Sequence, residues 1–273
     1  MKKFLALTLT LVLALSGLAV FAQAEAAPVL RVGMECAYAP YNWTQTEASD
    51  YAVPLAGGGY ADGYDVQVAR YLAEQLGMQL EIVKTEWDGL IPALTSGQGK
   101  IDAIIAGMSP TQERAMVVDF SAPYYESQLV VVVRADGAYA GAKSLKELSG
   151  AKITGQLNTF HYDIIDQIEG VQRQVAMSDF PSMVAALSSG RIDGYISELP
   201  GALSAVSSNP ALTYLEFEEG MGFKADPEET MISIAVRKGS PLLEQLNAAL
   251  AGLSEEARLE LMTGALSRQP AAN

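Results

Sequence analysis

Residues 101–114 read Ile-Asp-Ala-Ile-Ile-Ala-Gly-Met-Ser-Pro-Thr-Gln-Glu-Arg, and this stretch constrains the fold more than any other. Ile101 to Ile105 predicts a buried strand that stops at Ala106-Gly107. Pro110 cannot continue a central strand, because it has no N–H to donate. Pro suits the first turn of a helix, and Ser109 before it is a good N-cap. Thr111 to Arg114 is then a short helix. A strand end meets a helix start, where free backbone N–H groups collect. Arg114 adds a planar fork of donors that suits a carboxylate. On this stretch alone, an anion seat and a surface Arg on an ordinary turn fit equally well.

Around this stretch, strands and helices alternate. Val29 to Met34 is a first strand, followed by a loop rich in aromatics: Tyr38, Tyr41 and Trp43. The polar run from Thr44 to Asp62, with three consecutive glycines at 57–59, predicts an exposed, mobile insertion. Tyr64 to Leu76 carries helical spacing and ends at Gly77. Leu80 to Lys84 is a strand, and Leu90 to Ser96 a helix stopped by Gly97. Asp119 to Tyr125 is followed by the Val-rich strand Leu129 to Arg134. Further on, Ser144 and Glu147 form a capping-box pattern, Asn158-Thr159 can cap a helix running to about Ile168, and Asp179 caps Pro181 to Ser189. Strands follow at Ile192 to Ile196 and Met231 to Val236, and two helices fill Pro241 to Ala265. Such alternation predicts an α/β fold with mainly parallel sheets.

The chain also echoes itself. Leu94-Thr95-Ser96-Gly97 leads to Ile101-Asp102, and Leu187-Ser188-Ser189-Gly190 leads to Ile192-Asp193. The first unit delivers Arg114 and the second Glu198. Helix–Gly–strand units recur in any α/β fold, but two halves that each present a charge at a strand's carboxyl end point to a ligand between them. Arg114 can hold a carboxylate and Glu198 an ammonium, as an α-amino acid zwitterion requires. Tyr38 and Trp87 can flank a side chain, or serve as simple packing residues.

Other chemistries find little material. The single histidine, His161, has no Gly-x-Ser-x-Gly elbow to serve and reads as a solvated or core residue. No cluster of His and Cys offers a metal site, and no phosphate-binding glycine pattern is present, so no cofactor is expected. The formal charge of −14 argues against nucleic acid and anionic membrane as partners. Cys36 is the only cysteine and reads as a small buried apolar residue. Lys2-Lys3, the apolar run Leu5 to Val20 and Ala22-Gln23-Ala24 form a secretory signal, residues 1–24, cleaved on export. The charge left after cleavage is about −16. No lipoprotein cysteine follows, so a soluble periplasmic or secreted protein is expected, without membrane insertion after processing.

Several further runs carry a resemblance: Leu30-Arg31-Val32-Gly33, Tyr38-Ala39-Pro40-Tyr41, Gly63-Tyr64-Asp65-Val66, Trp87-Asp88-Gly89-Leu90-Ile91-Pro92-Ala93-Leu94, Asp119-Phe120-Ser121-x-Pro123-Tyr124-Tyr125 and Gly190-Arg191-Ile192-Asp193. With the central stretch, they resemble the amino-acid-binding receptors of ABC importers, solute-binding protein family 3, over about Leu30 to Leu261. The resemblance implies a two-lobe periplasmic-binding-protein-like (type II) fold with a two-segment hinge. Lobe one would span 28–125 plus 232–273, and lobe two 128–228. It implies that Arg114 clamps the ligand carboxylate with help from Ser109 and the Asn158-Thr159 helix start. It also implies that Glu198 takes the ammonium near Gly107, and that Tyr38 and Trp87 flank the side chain.

Glu35 matches a position that faces the ligand side chain in cationic amino-acid receptors, or it pairs with a protein cation. Two positions depart from the family pattern. Glu198 stands where many relatives have Asp, and Asn158-Thr159-Phe160 replaces a common Gly-Ser-Thr run. The expected ligand is a free polar L-amino acid, with Arg or Lys favoured over glutamine, and the expected partner is a membrane ABC permease. The alternatives are a cyclohexadienyl dehydratase-like enzyme on the same fold and a receptor serving a sensor.

Overall fold

The computed structural model describes residues 27–270, so the secretory signal lies outside the described residues. Two five-stranded sheets form the cores of two lobes. The first sheet runs Gln79–Lys84, Val29–Met34, Ala103–Ile104, Met231–Arg237, Val118–Glu126. The second runs Gln172–Arg173, Lys152–Thr154, Gly194–Glu198, Leu129–Arg134, Leu212–Leu215. Each sheet is mixed. In the first, Val29–Met34 pairs in parallel with both neighbours, and Met231–Arg237 pairs antiparallel with both of its neighbours. The second repeats this plan around Lys152–Thr154 and Leu129–Arg134. The antiparallel pairings arise where the chain passes between lobes, since a strand that enters from the other lobe need not follow a helical crossover.

The lobes are joined by two adjacent crossings. One passes from Val118–Glu126 to Leu129–Arg134, and the other returns into Met231–Arg237. They run side by side: Met231 pairs with Glu126, and Ser127 N–H donates to the Thr230 carbonyl at 3.0 Å. Two antiparallel connections of this kind, side by side, can serve as a hinge between the lobes.

The Ile-Asp echo has a physical basis. Asp102 accepts from the Arg31 N–H at 3.0 Å, and Asp193 accepts from the Lys152 N–H at 2.9 Å. In each lobe an arginine from a crossing strand then caps the same unit. Arg237 donates to the carbonyls of Ile101 (2.7 Å) and Leu94 (3.5 Å), and Arg134 to those of Ile192 (3.1 Å) and Leu187 (3.2 Å). Carbonyls left over at a helix end and a strand start are thereby satisfied. The two lobes are built to one plan, and its strand ends converge on the space between them.

Apolar burial holds each lobe together. Leu30, Val32, Ile104, Ile234 and Val236 in the first, and Val131, Ile153 and Ile196 in the second, are fully buried. Each such side chain contributes roughly 1.5–3 kcal/mol relative to exposure. Helix Tyr64–Gln75 ends before Gly77 (φ 64°), as its spacing predicts. Gly63, before that helix, has φ 134°, and a Cβ there would lie 2.3 Å from the Tyr41 carbonyl oxygen, so no other residue fits. Arg268 of the last helix clamps Asp62 with two bonds, at 3.1 and 3.2 Å.

Three local expectations are corrected. The run from Thr44 to Asp62 is not a loose insertion but part of a third small sheet, with strands Asn42–Gln45, Val53–Pro54 and Tyr60–Asp62. Its glycines make a hairpin rather than a linker: Gly58 and Gly59 take positive φ, and Leu55 N–H bonds to the Gly59 carbonyl. The Ile101 to Ile105 strand is paired only at Ala103–Ile104, because only Val32 and Gly33 face it in parallel register. Ser109 does not cap the short helix, which spans Gln112–Ala115. Thr111 is the cap, and its hydroxyl accepts from the Arg114 N–H at 3.4 Å. Ser109 is occupied elsewhere, donating to the Glu229 carbonyl at 2.7 Å.

Candidate ligand-binding site

The site residues form two groups, each with hydrogen bonds that cross between the lobes. The outer group is Arg114, Trp87, Asn158 and Thr159, which line a cleft of about 930 Å³. The inner group is Glu35, Tyr38, Gly107 and Glu198. Ser109 touches the outer group, because its carbonyl accepts from Arg114 Nη1 at 3.0 Å.

Arg114 reaches across the cleft. Its Nη2 donates to the Asn158 carbonyl at 3.0 Å, and its guanidinium lies 5.0 Å from the centre of the Trp87 ring. Trp87 therefore stacks beside the cation. Burial lowers the Arg114 pKa to about 10, still well above neutrality. Among the described residues no carboxylate lies within ion-pair distance of this guanidinium. Asn158 turns its carbonyl toward Arg114 by taking φ 55°, a conformation that Asn tolerates better than most residues. Its side-chain amide donates to Asp88 at 2.8 Å, a second bridge across the cleft.

Thr159 does not offer its hydroxyl to the cleft, because Oγ1 donates to the Gln156 carbonyl at 2.7 Å. The helix that follows is short, Phe160–Asp163, and continues as a 3₁₀ turn at Ile164–Gln167. Phe160 is buried in the second lobe's core and also lines the cleft.

Glu198 ends strand Gly194–Glu198 and is 1% exposed. Oε2 accepts from the Tyr38 hydroxyl at 3.1 Å, while Oε1 has no hydrogen-bond partner among the described residues. Burial, then the charge of Glu198, push the Tyr38 pKa well up, so its phenol keeps the proton it donates. The ring of Tyr38 is held on both sides. Phe180 stacks on it at 4.0 Å and 6°, and Tyr41 lies at 4.8 Å. Tyr38 thus presents a hydroxyl to the site, with its faces spent on packing. Gly107 (φ 61°) admits this ring, since a Cβ there would sit 3.1 Å from it.

Glu35, at the end of the first strand, is 4% exposed. Gln156 of the second lobe donates to both carboxylate oxygens at 3.3 Å. No protein cation pairs with it among the described residues. Burial raises its pKa to about 7, against the hydrogen bond from Gln156 and with the help of nearby Asp179, Glu86 and Asp88. Cys36 beside it is buried with its thiol pushed up to about 12, which makes it inert as a nucleophile.

Three residues escape a reading of the sequence. Gln156 bridges to Glu35, Phe180 covers Tyr38, and His161 lies with Nε2 3.7 Å from Glu198 Oε1. Only His161 carried a signal, as the one histidine of the chain. No group of three or more metal-ligating side chains is present among the described residues, and no helix among them is long and apolar enough to cross a membrane.

A probable histidine-binding protein of Campylobacter jejuni is 32% identical over 203 residues, covering 74% of this chain and 73% of that protein. The L-arginine-binding protein of Pseudomonas aeruginosa is 32% identical over 265 residues, 93% of this chain and 92% of that protein. A crystal structure of an amino acid ABC transporter substrate-binding protein from Streptococcus pneumoniae, bound to L-arginine, matches with a TM-score of 0.75 at 28% identity, covering 88% of this chain and 94% of that one. The profile of the bacterial extracellular solute-binding proteins, family 3, matches residues 30–263, and the chain belongs to that family.

Proposed function

We propose that the protein is an exported receptor that captures a free L-amino acid between its lobes, prefers a cationic one, and delivers it to an ABC permease. One observation carries this reading. Among the described residues, a guanidinium without an acid partner, Arg114, and a buried carboxylate without a cationic side chain in hydrogen-bond reach, Glu198, both lie between the lobes, and each is hydrogen-bonded to the opposite lobe. Buried charges need partners, because an unpaired one costs several kcal/mol. A zwitterion supplies both at once. Glu35 adds a second buried acid, suited to a guanidinium or ammonium on the ligand side chain. The arginine-binding relatives support the same preference.

Arg114 contacts the second lobe through Asn158, and Glu198 contacts the first through Tyr38, so each charged group completes its setting only when the lobes meet. Closure then buries the ligand, and the closed shape is what a permease would read. The Asn158–Asp88 bond is one latch of that state. Because it is exposed, Asp88→Ala is expected to speed ligand release by about two- to fivefold and to leave unfolding unchanged. Stopped-flow displacement of bound L-arginine measures this, and an unchanged release rate would remove the latch from the account.

The reading is tested by thermal unfolding of ligand-stripped protein against free amino acids. A ligand at about 1,000 times its Kd stabilises by roughly 4 kcal/mol, a shift of several degrees. L-arginine, L-lysine or L-ornithine is expected to give the largest shift. A shift with glutamine alone would keep the receptor and discard the preference for cations. No shift with any amino acid, together with turnover of prephenate or arogenate, would replace the receptor by a dehydratase.

A further inference from the structure

His161 sits at the start of helix Phe160–Asp163, directly beside Glu198. It is 6% exposed, and neither ring nitrogen has a hydrogen-bond partner among the described residues. Buried imidazole nitrogens left unpaired are costly, and such a group in a native protein calls for a functional or structural explanation. Nε2 faces Glu198 Oε1, itself without a hydrogen bond, across 3.7 Å. That gap is too wide for a direct hydrogen bond. Phe160 packs against the imidazole ring at 4.3 Å, so the ring is held rather than loose.

We propose that His161 is a ligand-contacting residue that shares the ligand's α-ammonium with Glu198. This rests on the amino-acid-receptor reading. A neutral imidazole nitrogen accepts one ammonium proton while Glu198 Oε1 accepts another. The Tyr38 hydroxyl holds Oε2 in place from the first lobe. A longer carboxylate side chain than Asp and a ring acceptor beside it thus form a two-acceptor seat.

The titratable groups around this spot are Glu198 and Tyr38, with Tyr41 and Asp65 behind them on the first lobe. Asp163 on the same short helix is exposed. Neither Arg114 nor any Lys pairs with Glu198 among the described residues, so no side-chain cation of the chain takes the place of the ligand's ammonium there.

A change of pH is not a clean test of His161, since Glu35 gains a proton near pH 7 and weakens its hold on a cationic side chain, so the roles of the two residues have to be told apart. The ligand separates them. 5-Guanidinopentanoate keeps the carboxylate and guanidinium of L-arginine but lacks the α-amine. Calorimetric titration of wild type, His161→Gln and His161→Phe with both compounds at pH 7.5 is the test. His161→Phe is expected to bind L-arginine about tenfold more weakly and 5-guanidinopentanoate within about twofold of wild type, while His161→Gln, whose amide oxygen can accept the same proton, recovers part of the loss. An equal loss for both compounds, or no loss for either, would overturn the role of His161 and leave the receptor standing. Should wild type bind L-glutamine and not L-arginine, L-glutamine and 4-carbamoylbutanoate serve as the pair, with the same expectation and the same overturning result. Wild type binding no amino acid would overturn the receptor reading, and the His161 proposal with it.

Discussion

Arg114→Ala is expected to weaken L-arginine binding about a hundred- to a few thousandfold while leaving the protein folded. Of the two arginines among the described residues that line the cleft, Arg173 is paired with Asp163 and Asp166 while Arg114 has no acid partner, and its planar fork can donate two parallel bonds to a carboxylate. Removing it strands a desolvated carboxylate, a loss of about 3–5 kcal/mol. Every 1.4 kcal/mol is tenfold in affinity. The fold loses less. Arg114 is half-buried, and its own protein partners are the Ser109 and Asn158 carbonyls and the Trp87 ring. Burial already disfavours its charged form, which offsets part of what those contacts contribute. Calorimetry and a thermal melt of the variant check both halves. Retained affinity would remove Arg114 from the site, and loss of the melting transition would make it a structural residue.

Glu35→Gln is expected to act on binding and on stability in opposite directions. Without its acid, the site should hold L-arginine about ten- to a hundredfold more weakly and L-glutamine nearly unchanged. Stability follows from the raised pKa, about 7 in the folded protein against 4.5 for a free side chain. Between those values the native state holds a proton that the unfolded chain has lost. That contribution is fully present below about pH 4.5 and is lost as pH rises through about 7. Ligand-free wild type therefore weakens over this window by roughly 3 kcal/mol from Glu35 alone. The Gln variant lacks that loss and should melt several degrees above wild type at pH 8 and level with it at pH 4.5. Melting curves of both proteins across this range decide it. Parallel pH profiles would show that Glu35 is not the group responsible.

What the sequence made legible follows the range of the forces involved. Helix ends at Gly77 and Gly97, the Asp179 cap and the short helix carrying Arg114 are set by neighbours a few residues away, so spacing reveals them. The Ile-Asp echo was visible, but its cause was not, because Arg237 and Arg134 come from distant crossing strands. The same holds within the site. Arg114 and Glu198 stood out as charges at strand ends. That Phe180 covers Tyr38, that Gln156 reaches Glu35 and that His161 faces Glu198 depends on how two lobes meet, and no local pattern encodes it. The cap at Ser109 failed for a related reason. The Ser109 hydroxyl is drawn away to the Glu229 carbonyl on the second crossing, and the helix starts later in the chain, where Thr111 accepts from the Arg114 N–H.

The central claim is that one cleft holds an amino acid by both of its backbone charges. Titration of ligand-stripped protein with L-arginine and with agmatine, which keeps the amine and guanidinium but lacks the carboxylate, tests it most directly. The account predicts binding of L-arginine with a Kd of about 10 µM or tighter, and agmatine about a thousandfold weaker. Equal affinity for the two compounds would contradict it, because Arg114 would then have no part in holding the ligand.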